Sequence, residues 1–292
     1  MDVFLSRTLE EALEVKAGHP EALPIAGGTD VMVELNFDRH RPEALLDVSR
    51  IRELQEWRRD NGAVFLGSGV TYTRIMRELA GFTPLAQASR TVGSPQIRNR
   101  GTVGGNLGTS SPAGDALPVL AAYDAEIVLV KQGGHPRSIP WHEFLVGVKK
   151  NAMAPDELIL GAQWKAVRGP GSFSKIGTRN AMVISMAGLC LVVDEEGRNV
   201  RVALGSVAPT IVRAREAEAL AARALADTGA WDDPAAPVPD HTIEDFGELV
   251  ASASRPIDDV RGTAAYRKHA CRVLARRALT WALDDRRRRQ GG

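Results

Sequence analysis

Gly27-Gly28 and Gly104-Gly105 are two places where this chain offers bare backbone beside small polar side chains. The first pair sits in Ala26-Gly27-Gly28-Thr29-Asp30, after Ile25 and before Val31. The second sits in Thr102-Val103-Gly104-Gly105-Asn106. A glycine pair after a strand turns tightly and lets another group approach with no Cβ in the way. Its exposed N–H groups make a nest for an anion, and a helix starting there adds its dipole. Thr29 carries a hydroxyl for a phosphate or sugar oxygen. Asp30 can cap the helix or take a neighbouring hydroxyl. Either loop alone reads as a tight structural turn sooner than as a phosphate cradle. Together they can hold the two phosphates of one pyrophosphate from opposite sides, which suits a chain with no G-x-G-x-x-G and no Walker A motif. Gly67-Ser68-Gly69 comes nearest to that fingerprint, but Tyr72 stands where the third glycine belongs, so it reads as a strand exit.

Other chemistry is poorly supplied. The two cysteines, Cys190 and Cys271, lie in apolar stretches. Two thiols cannot ligate an iron–sulfur cluster that needs four, and they suit a reduced, cytoplasmic protein. The six histidines (His19, His40, His135, His142, His241, His269) are scattered, with no metal-binding spacing, and read as surface or helix-end residues. No metal ligand and no acid–base pair is expected. A formal net charge of +1 excludes a global basic field for nucleic acid or anionic lipid. The run Arg286–Arg289 reads as a solvated, frayed tail. The N-terminus has no signal-peptide pattern, and no apolar run approaches a membrane span.

The elements that must position these loops follow from pattern. With 292 residues, 44% hydrophobic and 25% charged, the chain is globular and long enough for two or three lobes. Thr8 and Glu11 form a capping box for a first helix. Strands are predicted over 22–26, 44–48, 63–66 and 126–131, with helices over 31–35, 73–79 and 117–122 and one opening at Thr83-Pro84. Residues 92–116, rich in Gly, Ser, Asn and Pro, read as a long functional loop. A Gly/Pro break at 167–171 precedes two strands, 183–193 and 200–207, joined as a hairpin. Three helices follow, over 213–226, 242–253 and 263–285. In the last, Tyr266, Ala270, Val273, Leu274, Ala278 and Trp281 share one predicted face, for core packing or for docking.

The segments PIAGGTDV (24–31), PQIRNRGTVGGNLGTSSPAGDALPVL (95–120), DELI (156–159) and KIGTR (175–179) together resemble the FAD-binding (medium) subunit of molybdenum hydroxylases, the family of bacterial xanthine dehydrogenases and carbon monoxide dehydrogenases. The resemblance runs from about residue 2 to residue 283. It implies an α+β fold: a two-lobed FAD-binding domain of the vanillyl-alcohol-oxidase (PCMH-like) type, then a small antiparallel sheet with helices like the carbon monoxide dehydrogenase flavoprotein C-terminal domain. The implied boundaries are 1–58, 59–169 and 170–292.

By the same resemblance FAD is held non-covalently. Ile25, Ala26, Gly27, Gly28, Thr29, Asp30 and Val31 correspond to the first pyrophosphate loop, and Thr102, Gly104, Gly105 and Asn106 to the second. Asp115 corresponds to an acidic contact at a sugar or ribityl hydroxyl, or else caps the following helix. Ile159 corresponds to a position by the flavin, or else is strand core. Lys175 corresponds to a lysine near the ring, or else is a solvated strand lysine. Ile97 and Arg98 lead into the second loop. Valine at position 104 is expected to block the phosphate approach.

The implied activity is electron transfer. A large molybdenum-cofactor subunit oxidises substrate, a small subunit holds two [2Fe-2S] clusters, and this subunit passes electrons to NAD+ or another acceptor, usually within a dimer of heterotrimers. No cysteine-rich insertion interrupts the second loop, which is closer to the xanthine dehydrogenase branch than to branches with a further [4Fe-4S] cluster. A stand-alone FAD-dependent oxidoreductase of the same fold and a scaffold with a decayed nucleotide site are the alternatives.

Overall fold

Thr8 caps the helix Leu9–Gly18 as its spacing to Glu11 predicts: its hydroxyl accepts the Glu11 N–H, and the Glu11 carboxylate reaches back to the Thr8 N–H. The computed structural model describes residues 1–39 and 41–290. His40 lies outside the described residues. The contacts group the chain into two units. One holds Met1–Glu78, Val92–Ser111 and Asp124–Lys165; the other holds Leu79–Thr91, Pro112–Tyr123 and the chain from Ala166 onward.

The first unit carries two main sheets. Asp2–Leu5, Ala44–Asp47 and Leu23–Ile25 form a parallel sheet in that spatial order. Five antiparallel strands form the other, in the order Trp57–Asp60, Ala63–Gly67, Glu157–Lys165, Glu126–Lys131, Arg137–Pro140. Ala12, Leu13, Leu46, Ile51, Leu54, Val130 and Leu158 make a shared core. Full burial of each large aliphatic side chain is worth roughly 1.5–3 kcal/mol. Gly67 ends its strand under the chain at Leu54, where a Cβ would lie 2.3 Å from the Leu54 carbonyl oxygen. Gly67-Ser68-Gly69 is thus the strand exit that the sequence suggests.

Residues 92–116 are not the long loop expected. They contain the helices Pro95–Arg100 and Val103–Thr109, capped by Ser94 and Thr102. Glycine-rich composition argues against helix, but the caps and a tertiary contact described below outweigh it.

In the second unit the hairpin is present. Ala187–Asp194 pairs with Asn199–Gly205, flanked by Gly171–Ile176 and Val212–Arg213 in one antiparallel sheet. Leu189, Leu191, Val193, Val202 and Leu204 pack with residues of the helices Arg215–Asp227, Asp240–Ala253 and Ala264–Gln290. The helix Ala116–Ala122 also lies against this sheet: a Cβ on Gly205 would sit 2.8 Å from Pro118 Cγ. This is the small antiparallel sheet with helices that the sequence implies.

The predicted face of the last helix holds in part: Ala270, Leu274 and Ala278 are buried, joined by Cys271, Ala275 and Leu279, whereas Tyr266 and Trp281 are 47% and 49% exposed and take no part in the core. The small residues allow close helix crossing at Gly247, where a Cβ would meet Arg276 Cγ at 2.7 Å. Contrary to expectation, Arg286 does not belong to a frayed tail. Its guanidinium pairs with Glu195 at 3.0 Å and donates to the Ala230 and Trp231 carbonyls at 2.7 and 3.1 Å. Both cysteines are buried, and burial pushes their thiols up, Cys271 to about 12. The five described histidines are exposed. Among the described residues, no helix is long and apolar enough to cross a membrane.

Replacing Arg286 by Ala should cost about 2–3 kcal/mol in urea unfolding, because two carbonyls and a carboxylate lose their donor. A second prediction concerns acid. Hydrogen bonds from Arg74, then from Arg77, hold the Glu78 carboxyl at about 2. A depressed folded-state value stabilises above the ordinary carboxylate range, and the gain is lost as pH falls from about 4.5 toward about 2. Glu78→Gln should therefore be less stable than wild type at pH 7 by about 1–2 kcal/mol, allowing for partial solvent screening, and equal to it near pH 2.

Candidate dinucleotide site

The first glycine loop leaves the strand Leu23–Ile25 and enters the six-residue helix Val31–Asn36. Gly28 takes φ +74°, a left-handed conformation that glycine adopts without strain. Among the described residues, the N–H groups of Gly27, Gly28, Thr29 and Asp30 donate to no other group of the protein. Four successive unclaimed donors are the ingredients of an anion nest. Asp30 stands at the N-cap position but makes no side-chain cap bond. It takes the other option, a neighbouring hydroxyl: Thr109 Oγ1 donates to Asp30 Oδ2 at 2.8 Å.

The second glycine pair behaves differently. Thr102 is the N-cap of Val103–Thr109, and its hydroxyl accepts the Gly105 N–H at 3.0 Å. The Gly104 N–H donates to the Ser68 carbonyl at 2.9 Å. These two donors are therefore spent inside the protein. Gly104 is bare for a structural reason: a Cβ there would fall 2.5 Å from Ser68 Cβ and 2.6 Å from Ser68 O. A valine would collide with Ser68 before it met any ligand, which corrects the reason given from sequence for its effect. Gly105 has no such excuse. A Cβ on it would meet only Thr102 Oγ1, at 3.4 Å, and one on Gly108 only Ile159 Cδ1, at 4.0 Å. Both glycines are exposed. Three residues apart, they share one face of the helix. Beside them Asn106 Oδ1 is buried with no hydrogen-bond partner.

The two loops meet. A Cβ on Gly27 would lie 1.9 Å from the Arg100 carbonyl oxygen, so the first loop rests on the backbone that leads into the second. Arg98 pins that lead-in by donating to the Val92 and Gly93 carbonyls at 3.1 and 2.9 Å. Ile159 is half-buried next to Gly108, where the strand Glu157–Lys165 shifts register against its neighbour. Ile25 to Val31, Thr102 to Asn106, and Ile159 thus belong to one neighbourhood of the first unit. Ser68, Arg100 and Thr109 complete it. Sequence reasoning missed their roles: Ser68 and Arg100 act through backbone carbonyls, and nothing in the pattern marks Thr109.

Asp115 and Lys175 come together in the second unit. Lys175 Nζ lies 2.6 Å from Asp115 Oδ2 and 3.0 Å from the Thr91 carbonyl, and the Thr91 hydroxyl donates to the same carboxylate oxygen at 3.0 Å. Asp115 makes no cap bond to the helix it precedes, and Lys175 is not solvated, being 8% exposed. Asp115 is therefore not a helix cap, nor Lys175 a solvated strand lysine. Burial pushes the Asp115 carboxyl above the ordinary carboxylate range, opposed by the Lys175 charge and the two hydrogen bonds.

An extended ligand with two phosphates suits the first unit. Its phosphates would meet free N–H groups, its body could lie close to the Gly105–Gly108 face, and Asn106 would find a donor.

The chain's similarities agree with that chemistry. Residues 1–163 match the FAD binding domain in molybdopterin dehydrogenase, and residues 172–282 match the CO dehydrogenase flavoprotein C-terminal domain. The nicotinate dehydrogenase FAD-subunit of Eubacterium barkeri is 32% identical over 67% of this chain and 70% of its own length. The putative xanthine dehydrogenase FAD-binding subunit of Escherichia coli (strain K12) is 27% identical over 94% of each chain. Quinoline 2-oxidoreductase from Pseudomonas putida 86 shares the fold, with a TM-score of 0.86, 22% identity and 98% of both chains covered. Carbon monoxide dehydrogenase from Hydrogenophaga pseudoflava does so with a TM-score of 0.84, 23% identity and the same coverage. The chain belongs to the molybdenum hydroxylase family of dehydrogenases, as one of its FAD-binding subunits.

Proposed function

We propose that this chain is a xanthine dehydrogenase-like electron-transfer subunit. It takes electrons from [2Fe-2S] clusters on a small partner subunit and passes them to NAD+ or another acceptor, while a large molybdenum-cofactor subunit oxidises the substrate. The assembly proposed is a cytoplasmic dimer of heterotrimers. Relatives named as FAD-binding subunits support the division of labour. The boundaries 1–58, 59–169 and 170–292 belong to the same proposal.

The observation that carries it is the open glycine face beside an unclaimed nest. Gly105 and Gly108 lack side chains where the protein has room for them, and Asn106 Oδ1 lacks a donor. Bound FAD would supply the redox chemistry; the protein supplies position and electrostatics.

The surroundings of each residue support a task for it. The N–H groups from Gly27 to Asp30 bind phosphate oxygens, and Thr29 offers its hydroxyl beside them. Ile25, Ala26 and Val31 carry that loop. Thr102 fixes the start of the second helix, Gly104 seats it on Ser68, and Gly105 admits the ligand. Asn106 accepts from a ligand hydroxyl or N–H. Ile159 supplies apolar contact. In the second unit Asp115 and Lys175 are the residues proposed to act toward the flavin. Their mutual neutralisation means that Lys175 brings an oriented donor more than a bare charge. Proton and hydride chemistry on substrate is assigned to no side chain here.

The two neighbouring glycines separate folding from binding. Gly104→Ala should destabilise the protein through Ser68. Gly105→Ala should leave the apoprotein as stable as wild type or about 0.5–1 kcal/mol more so, since Ala outranks Gly within a helix, yet should lower the FAD released per chain. Urea midpoints and released flavin read the two effects. A Gly105→Ala protein with full FAD content would contradict the placement.

A further inference from the structure

We infer that Thr109 is a positioning residue for the dinucleotide site. Its hydroxyl ties down the Asp30 carboxylate and sets the first glycine loop against the second helix. The inference rests on the function proposed above.

The helix Val31–Asn36 that follows the first loop buries none of its residues. Met32, Val33 and Phe37 are 46%, 45% and 69% exposed. Apolar packing therefore does little to place it. Polar ties reach it from elsewhere in the unit. Thr109 donates to Asp30, and Lys149 Nζ pairs with Glu34 at 2.8 Å. Both lead back to one place. The Lys149 N–H donates to the Ser110 carbonyl at 3.2 Å, and Asn151 Nδ2 donates to the Gly108 carbonyl and the Ser110 hydroxyl at 3.1 and 3.2 Å. The C-terminal end of Val103–Thr109 is thus an anchor for the entry of Val31–Asn36.

Asp30 matters for a second reason. Its N–H is the last of the four free donors, so its carboxylate hangs beside the proposed phosphate position. A free carboxylate there would repel a dianionic pyrophosphate. Its backbone, at φ −99° and ψ −49°, is helical, and no cap bond to its own helix holds the side chain. Thr109 holds it instead.

Titration of apoprotein with FAD, followed by flavin fluorescence, tests the inference. Thr109→Val removes the hydroxyl at nearly constant shape. It should raise the Kd for FAD about tenfold, the scale of one hydrogen bond to a charged group, in an apoprotein that still folds cooperatively. Thr109→Ser should restore binding. Adding Asp30→Asn to Thr109→Val should recover part of the lost affinity, because the released charge is gone. A Thr109→Val protein with wild-type Kd overturns the inference, as does a loss that Thr109→Ser fails to restore or a double variant no tighter than Thr109→Val. Wild-type apoprotein that takes up no FAD overturns the function itself, and this inference with it.

Discussion

Gly27 rests so close to the Arg100 carbonyl that any side chain would occupy the oxygen's place, 1.9 Å from an ideal Cβ. The first unit's candidate site depends on this backbone-on-backbone contact. It brings together two loops from distant parts of the chain. It also explains a glycine that a free-standing turn would not require. Gly104 repeats the device against Ser68. With the loops seated this way, the donors of Gly104 and Gly105 are consumed internally, while those from Gly27 to Asp30 remain open. The two loops are therefore unequal partners: one offers hydrogen bonds, the other a bare face.

The second unit solves a different problem. Its sheet buries a lysine and an aspartate against each other, with Thr91 completing the carboxylate's partners. Removing either charge alone would strand the other in a poorly solvated place, which costs more than the pair contributes. Such a pair favours one arrangement of Gly171–Ile176 and the helices around it. It also makes Lys175 a donor of fixed direction.

The parts of this molecule that follow local rules were legible in the sequence. Thr8 and Glu11 announced the first helix, alternating and continuous apolar runs announced the strands around residues 126–131 and 187–205, and the glycine pairs marked the loops that matter. Parts decided by distant contacts were not. Residues 92–116 looked like loop because glycine disfavours helix, yet Thr102 and Ser68 supply a cap and a seat that override propensity. Arg286 looked like part of a solvated basic tail until the Ala230 and Trp231 carbonyls gave it a buried place. The Thr109–Asp30 bond spans 79 positions and carries no pattern. For Asp115 the sequence offered a local cap, but the carboxylate is committed to Lys175 and Thr91, 60 and 24 positions away.

The paired glycine loops are proposed to hold a flavin dinucleotide. The visible absorption spectrum of the purified chain, followed by release and identification of its flavin, tests this proposal most directly. A yellow protein that releases intact FAD on denaturation, about one per chain as for a single site, is the expected result. A colourless protein that also fails to take up added FAD would contradict it, leaving Gly27, Gly28, Gly104 and Gly105 as structural turns.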